Sequence, residues 1–364
     1  MDTELNKVLR FFQLKRIIIP LVLGLGVASF LLIRDFNRDA FLQIHWSVYT
    51  FLWLFFALCL QAIRDLAYMY RLRVLTDRQI SWRHSFDAIM LWEFASSITP
   101  SIVGGSAIAL FIVNKEGISM GRTTAIVMIT AMLDELFYIT MVPVVILVIG
   151  IDNLFVADAG FLMNLGGQEA FIFGYVFILT LTTVITSAIF ISPKGFKRII
   201  VSFASLPFLK RWKHKAVQTG DDIITTSREM KGKSFMFWFK AFGATVFSWS
   251  ARFWVVNALI MAFRAIPGEF THIGDQFLIY GRQLVMWVIL LVSPTPGGSG
   301  VAEYAFPIFL GDFIPFGLET AIGLLWRLLS YYPYLFIGFF ILPFWIRRVY
   351  VKEKISRRKM DKGL

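Results

Sequence analysis

Ser293–Glu303 reads SPTPGGSGVAE, and Ile98–Ala109 reads ITPSIVGGSAIA. Both break apolar sequence with proline, glycine and hydroxyl residues, and they share one register. Ser97 falls on Ser293, Thr99 on Thr295, Pro100 on Pro296 and Gly104 on Gly300. Without a gap, the register continues to Ile112 and Ile308, to Gly121 and Gly317, and to Thr124–Ile126 and Thr320–Ile322. Upstream it pairs Met90 with Met286. Such agreement indicates a duplicated unit. Paired Gly/Pro-interrupted segments in the two halves of a membrane chain point to a transport site.

The membrane assignment comes from composition. Of 364 residues, 57% are hydrophobic and 16% charged, and the mean hydropathy is +0.68. A soluble domain cannot hide that much apolar surface. Cys59 is the one cysteine, and His45, His84, His214 and His272 are scattered. No metal or cofactor is therefore expected. The net charge of +12 does not indicate nucleic acid, because most of the Lys and Arg lie in one set of loops.

Six stretches reach the roughly 20 apolar residues a spanning helix needs: 16–33, 46–70, 123–149, 171–191, 235–262 and 318–345. The segments 85–113 and 273–310 hold the two broken loops. Beside the first turn each limb is short of spanning length, so both are expected to be re-entrant hairpins, tolerated only inside protein or beside a wet cavity. Of the 36 Lys and Arg, 28 fall in one set of loops: the N-terminus, Arg71–Arg83, Lys115 and Arg122, residues 194–233, and the tail from Arg347. The positive-inside rule then places both termini in the cytoplasm. Three spans separate the hairpins, so they enter from opposite faces as inverted repeats.

The expected fold is an all-α membrane bundle of about six full spans plus two re-entrant helical hairpins. It forms one domain over residues 1–350, with repeat halves at 85–149 and 273–345. A basic connection lies at 192–234 and a basic tail at 351–364. The connection mixes Lys and Arg with Phe203, Leu206, Phe208, Leu209 and Trp212. It reads either as an interfacial amphipathic element or as ordinary positive-inside charge. A bacterial inner membrane is the expected location.

Helix N-termini offer unpaired N–H groups and partial positive charge. Gly297, Gly298, Ser299 and Gly300 form a candidate anion cradle, with Thr295 and Pro296 before it and Thr99, Gly104 and Gly105 as the first-loop counterparts. Tight hairpin packing is the competing reading. Ionisable residues deep in spans are costly and usually functional. Asp134 and Glu135 lie midway along 123–149, Arg327 at similar depth in the last span, Arg282 before the second loop and Glu303 just after it. These five make a candidate midplane cluster for a phosphate. Alternatively, they are structural ion pairs. Arg64 and Asp65 are expected to snorkel.

With these residues in hand, the chain resembles the membrane flippase domain of lysylphosphatidylglycerol synthases and its stand-alone relatives. Residues 296–303 look like that family's PGGxGxxE signature, supported by Thr99-Pro100, Gly104-Gly105 and Asp134. The resemblance runs from about residue 10 to residue 348. It implies a bundle that moves phospholipids or polyprenyl-type lipid carriers between leaflets. Ser106, Ala107 and Ile108 stand where many relatives carry an acid and an arginine, which weakens the first loop's claim to substrate contact. No aminoacyl-transfer domain follows residue 350, so lysyl transfer is not expected. The expected role is transport of an anionic phospholipid or polyprenyl-phosphate-type lipid rather than catalysis, with membrane lipids as partners. A homo-oligomer or partner enzyme is compatible with this. A secondary transporter for a small soluble anion is the alternative, and a membrane-embedded lipid-modifying enzyme ranks below it.

Overall fold

The computed structural model describes residues 14–35, 38–42, 44, 46–99, 101–155, 167–206, 210–264, 269–291 and 295–361. Helix is the only regular structure among them. In chain order the helices are α1 (Leu14–Asp35), α2 (Arg38–Leu42), α3 (Val48–Leu75), α4 (Trp82–Ile98), α5 (Ser101–Lys115), α6 (Met120–Ile149) and α7 (Gly167–Phe190). There follow α8 (Pro193–Ala204), α9 (Lys213–Met230), α10 (Phe235–Phe263), α11 (Ile273–Leu291), α12 (Val301–Leu310), α13 (Glu319–Ser330) and α14 (Tyr332–Asp361). Serine hydroxyls start four of them, each accepting a backbone N–H three residues on: Ser47 for α3, Ser81 for α4, Ser119 for α6 and Ser234 for α10.

Five helical stretches are long and apolar enough to cross a membrane: Val48–Leu75, Met120–Ile149, Phe171–Phe190, Phe235–Phe263 and Glu319–Val349. The sixth expected span, 16–33, lies within α1, whose apolar run among the described residues is only Gly24–Arg34. The last span is broken, not continuous. Pro333 has no N–H to donate and crowds the preceding turn, and α13 gives way to α14 at Tyr331 (φ −128°, ψ −59°). The connection 192–234 is largely helical, and the tail stays helical to Asp361. Most of the acidic loop 151–170 lies outside the described residues.

One element order occurs twice: a long helix, a second helix, a break, a short helix, then a long apolar stretch. It runs through α3–α6 and again through α10–α14. Packing between the halves is reciprocal. α3 lies along α10, α4 against α14, and α11 against α6. Glycines permit two of these crossings. A Cβ at Gly338 of α14 would sit 2.3 Å from Phe94 Cβ, and one at Gly281 of α11 would sit 2.7 Å from Val145 Cγ1. Small residues at helix crossings are what packing in lipid requires. One apolar core gathers around Leu91, Phe94, Ile112 and Trp345. Another gathers around Phe253, Val256, Phe306 and Phe309.

Candidate functional site

A cavity of about 330 Å³ takes its walls from residues of both halves. α3, α4 and α6 supply one side. α10, α11, the turn at residues 295–298 and α13 supply the other. The chain breaks next to it twice. After α4, Thr99 returns its hydroxyl to Ala95 O at 2.7 Å, and α5 folds back so closely that a Cβ at Gly105 would lie 2.2 Å from Ser96 Oγ. In the second turn Gly297, Gly298 and Gly300 all have positive φ, at 57°, 68° and 83°, a region that L side chains avoid. Tyr331, which caps α13 with its N–H on Arg327 O at 2.9 Å, ties the turns together. Its hydroxyl donates to Ser97 O at 2.9 Å and lies 3.1 Å from Ser299 Oγ. Its ring fills the space that a Cβ on Gly297 would take.

Thr99, Asp134, Glu135, Thr295, Gly297, Gly298 and Arg327 all line this cavity. Glu303 and Ser299 are buried behind it. Glu303 Oε1 accepts from Arg327 Nε at 2.9 Å, and Oε2 accepts from Gly300 N at 2.7 Å. One carboxylate thus holds both the start of α12 and the cavity arginine. α1 closes the far side of the turn: Gly24 packs against Tyr332, Glu303 and Ser299, and Val27 against Gly300. Pro296 belongs to the turn but not to the cavity wall. Gly105 serves the α4–α5 contact, and of Gly104 only its place in α5 is described. Arg282 does not join the cluster. It pairs with Asp312 at 2.5 Å beyond α12, its guanidinium over Phe313. Its neighbour Gln283 lines the cavity, so Arg282 lies at the right level but on another face of α11.

Other buried charges at or near the cavity were assigned elsewhere by the sequence. Arg71, counted with a basic loop, is buried within an α3 that extends to Leu75. It bonds Asp134 Oδ1 at 2.5 Å and Thr245 Oγ1 at 3.0 Å, while Trp249 Nε1 adds a 2.8 Å bond to the same Asp134 oxygen. Arg64 does not snorkel. It is 2% exposed and pairs with Glu93 at 2.8 Å and Asp65 at 2.9 Å, with a further bond to the Tyr334 hydroxyl. Tyr68 is sandwiched between the two guanidiniums, at 4.9 Å from that of Arg64 and 4.7 Å from that of Arg71. The signal for this was in the sequence: Arg64, Tyr68 and Arg71 follow the i, i+4, i+7 spacing of one helix face.

Arginines from three elements therefore reach the cavity: Arg71, Arg252 and Arg327. Arg71 and Arg327 have carboxylate partners. Arg252 makes no ion pair among the described residues, and its guanidinium lies 5.2 Å from the Trp249 ring centroid. Glu135 is its unpaired counterpart in the wall, one carboxyl oxygen buried without a hydrogen bond. A guanidinium in this wall that is not locked in an ion pair offers up to five N–H donors to an anion, with Glu93 within electrostatic reach.

Comparison with known proteins agrees with the architecture. A "UPF0104 membrane protein" of Archaeoglobus fulgidus is 26% identical over 314 residues, covering 81% of this chain and 88% of that protein. No solved structure matches. Residues 17–338 match the family described as the lysylphosphatidylglycerol synthase TM region, a match that takes in both broken loops and every cavity residue. The chain is a multi-pass membrane protein and belongs to that family.

Proposed function

We propose that this protein moves an anionic phospholipid or polyprenyl-phosphate-type lipid between leaflets, with the head group bound in the cavity shared by the two halves. The observation that carries this reading is Arg252, an arginine in the cavity wall that makes no ion pair among the described residues, with Glu93 as its electrostatic neighbour. Gly297, Gly298 and Thr295 line the same space, but the N–H groups of Gly298, Ser299 and Gly300, expected to cradle an anion, are taken by Thr295 O, Pro296 O and Glu303 Oε2. At about 330 Å³ the cavity suits a head group and leaves acyl chains outside, in lipid. In this reading α4–α5 and α11–α12 are re-entrant hairpins entering from opposite faces, with both termini cytoplasmic. Reciprocal packing of the halves supplies two similar gates around one site. The paired arginines hold the gates together, and Arg252 meets the substrate.

The test is transfer of fluorescent phosphatidylglycerol in proteoliposomes, followed by quenching of the outer leaflet. Arg252→Ala removes a charge-assisted bond of about 1.5–3 kcal/mol, so transfer should slow by about tenfold or more. Transfer at the wild-type rate would reject the cavity as the head-group site. Uptake of inorganic phosphate into the same vesicles, without lipid movement, would favour a soluble anion instead.

A further inference from the structure

The connection between α7 and α10 carries a surface that the head-group site does not use. α8 begins three residues after the apolar stretch Phe171–Phe190 ends, which leaves it at the membrane edge. It meets α9 through Lys197. That stem crosses Gly220, where a Cβ would sit 2.3 Å from Lys197 Cγ, and its ammonium pairs with Asp221 at 2.5 Å. The apolar row of α8 takes no part in that contact. Ile199 and Phe203 are 67% and 65% exposed, and Leu206 and Trp212, beyond the end of α8, are exposed too. Ile199 and Phe203, four residues apart, share one face of α8, and Leu206 follows just past its end. Around them stand Lys194, Arg198, Lys210, Arg211, Lys213 and Lys215, all exposed and none in an ion pair among the described residues. Residues 191–215 contain no Asp or Glu.

We infer that α8 and residues 210–215, which lead into α9, form a docking surface for an anionic leaflet: the exposed apolar side chains enter the acyl boundary and the Lys and Arg rest among the phosphates. Water leaves the exposed Phe and Ile on insertion, and each basic residue near an anionic surface adds about 1 kcal/mol. Neutral lipid satisfies only the first half of that pattern. The grip has a structural consequence. α9 is fastened to α6 by Arg122–Glu229 at 3.4 Å and by Thr226 Oγ1 to Met128 Sδ at 3.2 Å. A lipid-bound α8 therefore braces the helix that carries Asp134 and Glu135. This surface does not depend on the head-group reading.

The test uses the full chain with Cys59→Ala and Phe203→Cys, nitroxide-labelled, in nanodiscs of phosphatidylcholine with or without phosphatidylglycerol. With phosphatidylglycerol present, the label should be open to oxygen and shielded from a water-soluble nickel chelate. Lys194→Glu with Arg198→Glu should return it towards water, each lost positive charge weakening the bound state by about fivefold. Both residues are exposed and unpaired, so the double variant should fold, and a second label on α9 checks that it does. A label exposed to water in both lipid mixtures overturns the inference and leaves the face to an acidic protein partner. A label shielded equally in both mixtures and in the double variant overturns the role assigned to charge.

Discussion

In the first turn, Thr99 bonds back to its own helix and Gly105 presses on Ser96. In the second, three glycines hold positive φ, two of them open to the cavity, and Glu303 bonds both Gly300 N and Arg327. The two began from matching letters, yet their surroundings diverged. The register position of Glu303 is Ala107, and that of Arg327 is Ala131. The first half therefore kept the break in the helix and lost the buried charge pair beside it. Its own ion pairs lie elsewhere, between α3 and α4 and between α3 and α6. A duplicated backbone motif fixes where a helix stops, whereas the chemistry beside the stop depends on side chains that can change independently.

Substitutions at the two turns should expose this difference. Glu303→Ala leaves Arg327 buried without its carboxylate, and should cost about 3–5 kcal/mol, read as lowered thermal stability in detergent. Combining it with Arg327→Met should recover most of that loss. If the single variant is as stable as the wild type, the pair does not hold the second turn. Gly105→Val drives a side chain into Ser96, whose Cα lies 3.2 Å from the added Cβ, and should cost about 1–3 kcal/mol by overpacking. Lipid transfer by the protein that still folds should persist, since Gly105 does not line the cavity. Gly298→Ala has room, with Leu290 at 3.5 Å, but must hold φ at 68°. About 1–2 kcal/mol is expected, together with weaker lipid binding. Arg252→Ala should change stability least, by about 0.5 kcal/mol or less, because its electrostatic neighbour Glu93 keeps the ion pair with Arg64, although it slows transfer most. Equal effects on stability and transfer would erase the distinction between structural and substrate-facing arginines.

The residue pattern alone made much of the fold legible. Apolar stretches of spanning length, the proline breaks and the shared register are local properties, each decided by a chain's need to satisfy its own backbone in lipid. Asp134, Glu135, Thr295, Gly297, Gly298 and Arg327 were candidates on depth and spacing, and they share one cavity. Arg282 was a candidate by the same reasoning and lies outside it, because depth along α11 does not say which face of the helix meets the cavity, and Gln283 beside it is on that face. Arg71 was read as a loop residue, since span ends cannot be fixed to within a helical turn when basic residues continue the helix.

By itself, the sequence determined the membrane class, the paired breaks and the family to which the chain belongs, since these depend on composition and on short motifs. Only the tertiary structure decided which charges meet. Arg71 finds Asp134 across 63 positions and Arg327 finds Glu303 across 24, while Arg252 is left unpaired. The physical reason is that an ion pair depends on distances of a few ångströms between helices, and those are set by how glycines such as Gly281 and Gly338 let the helices cross.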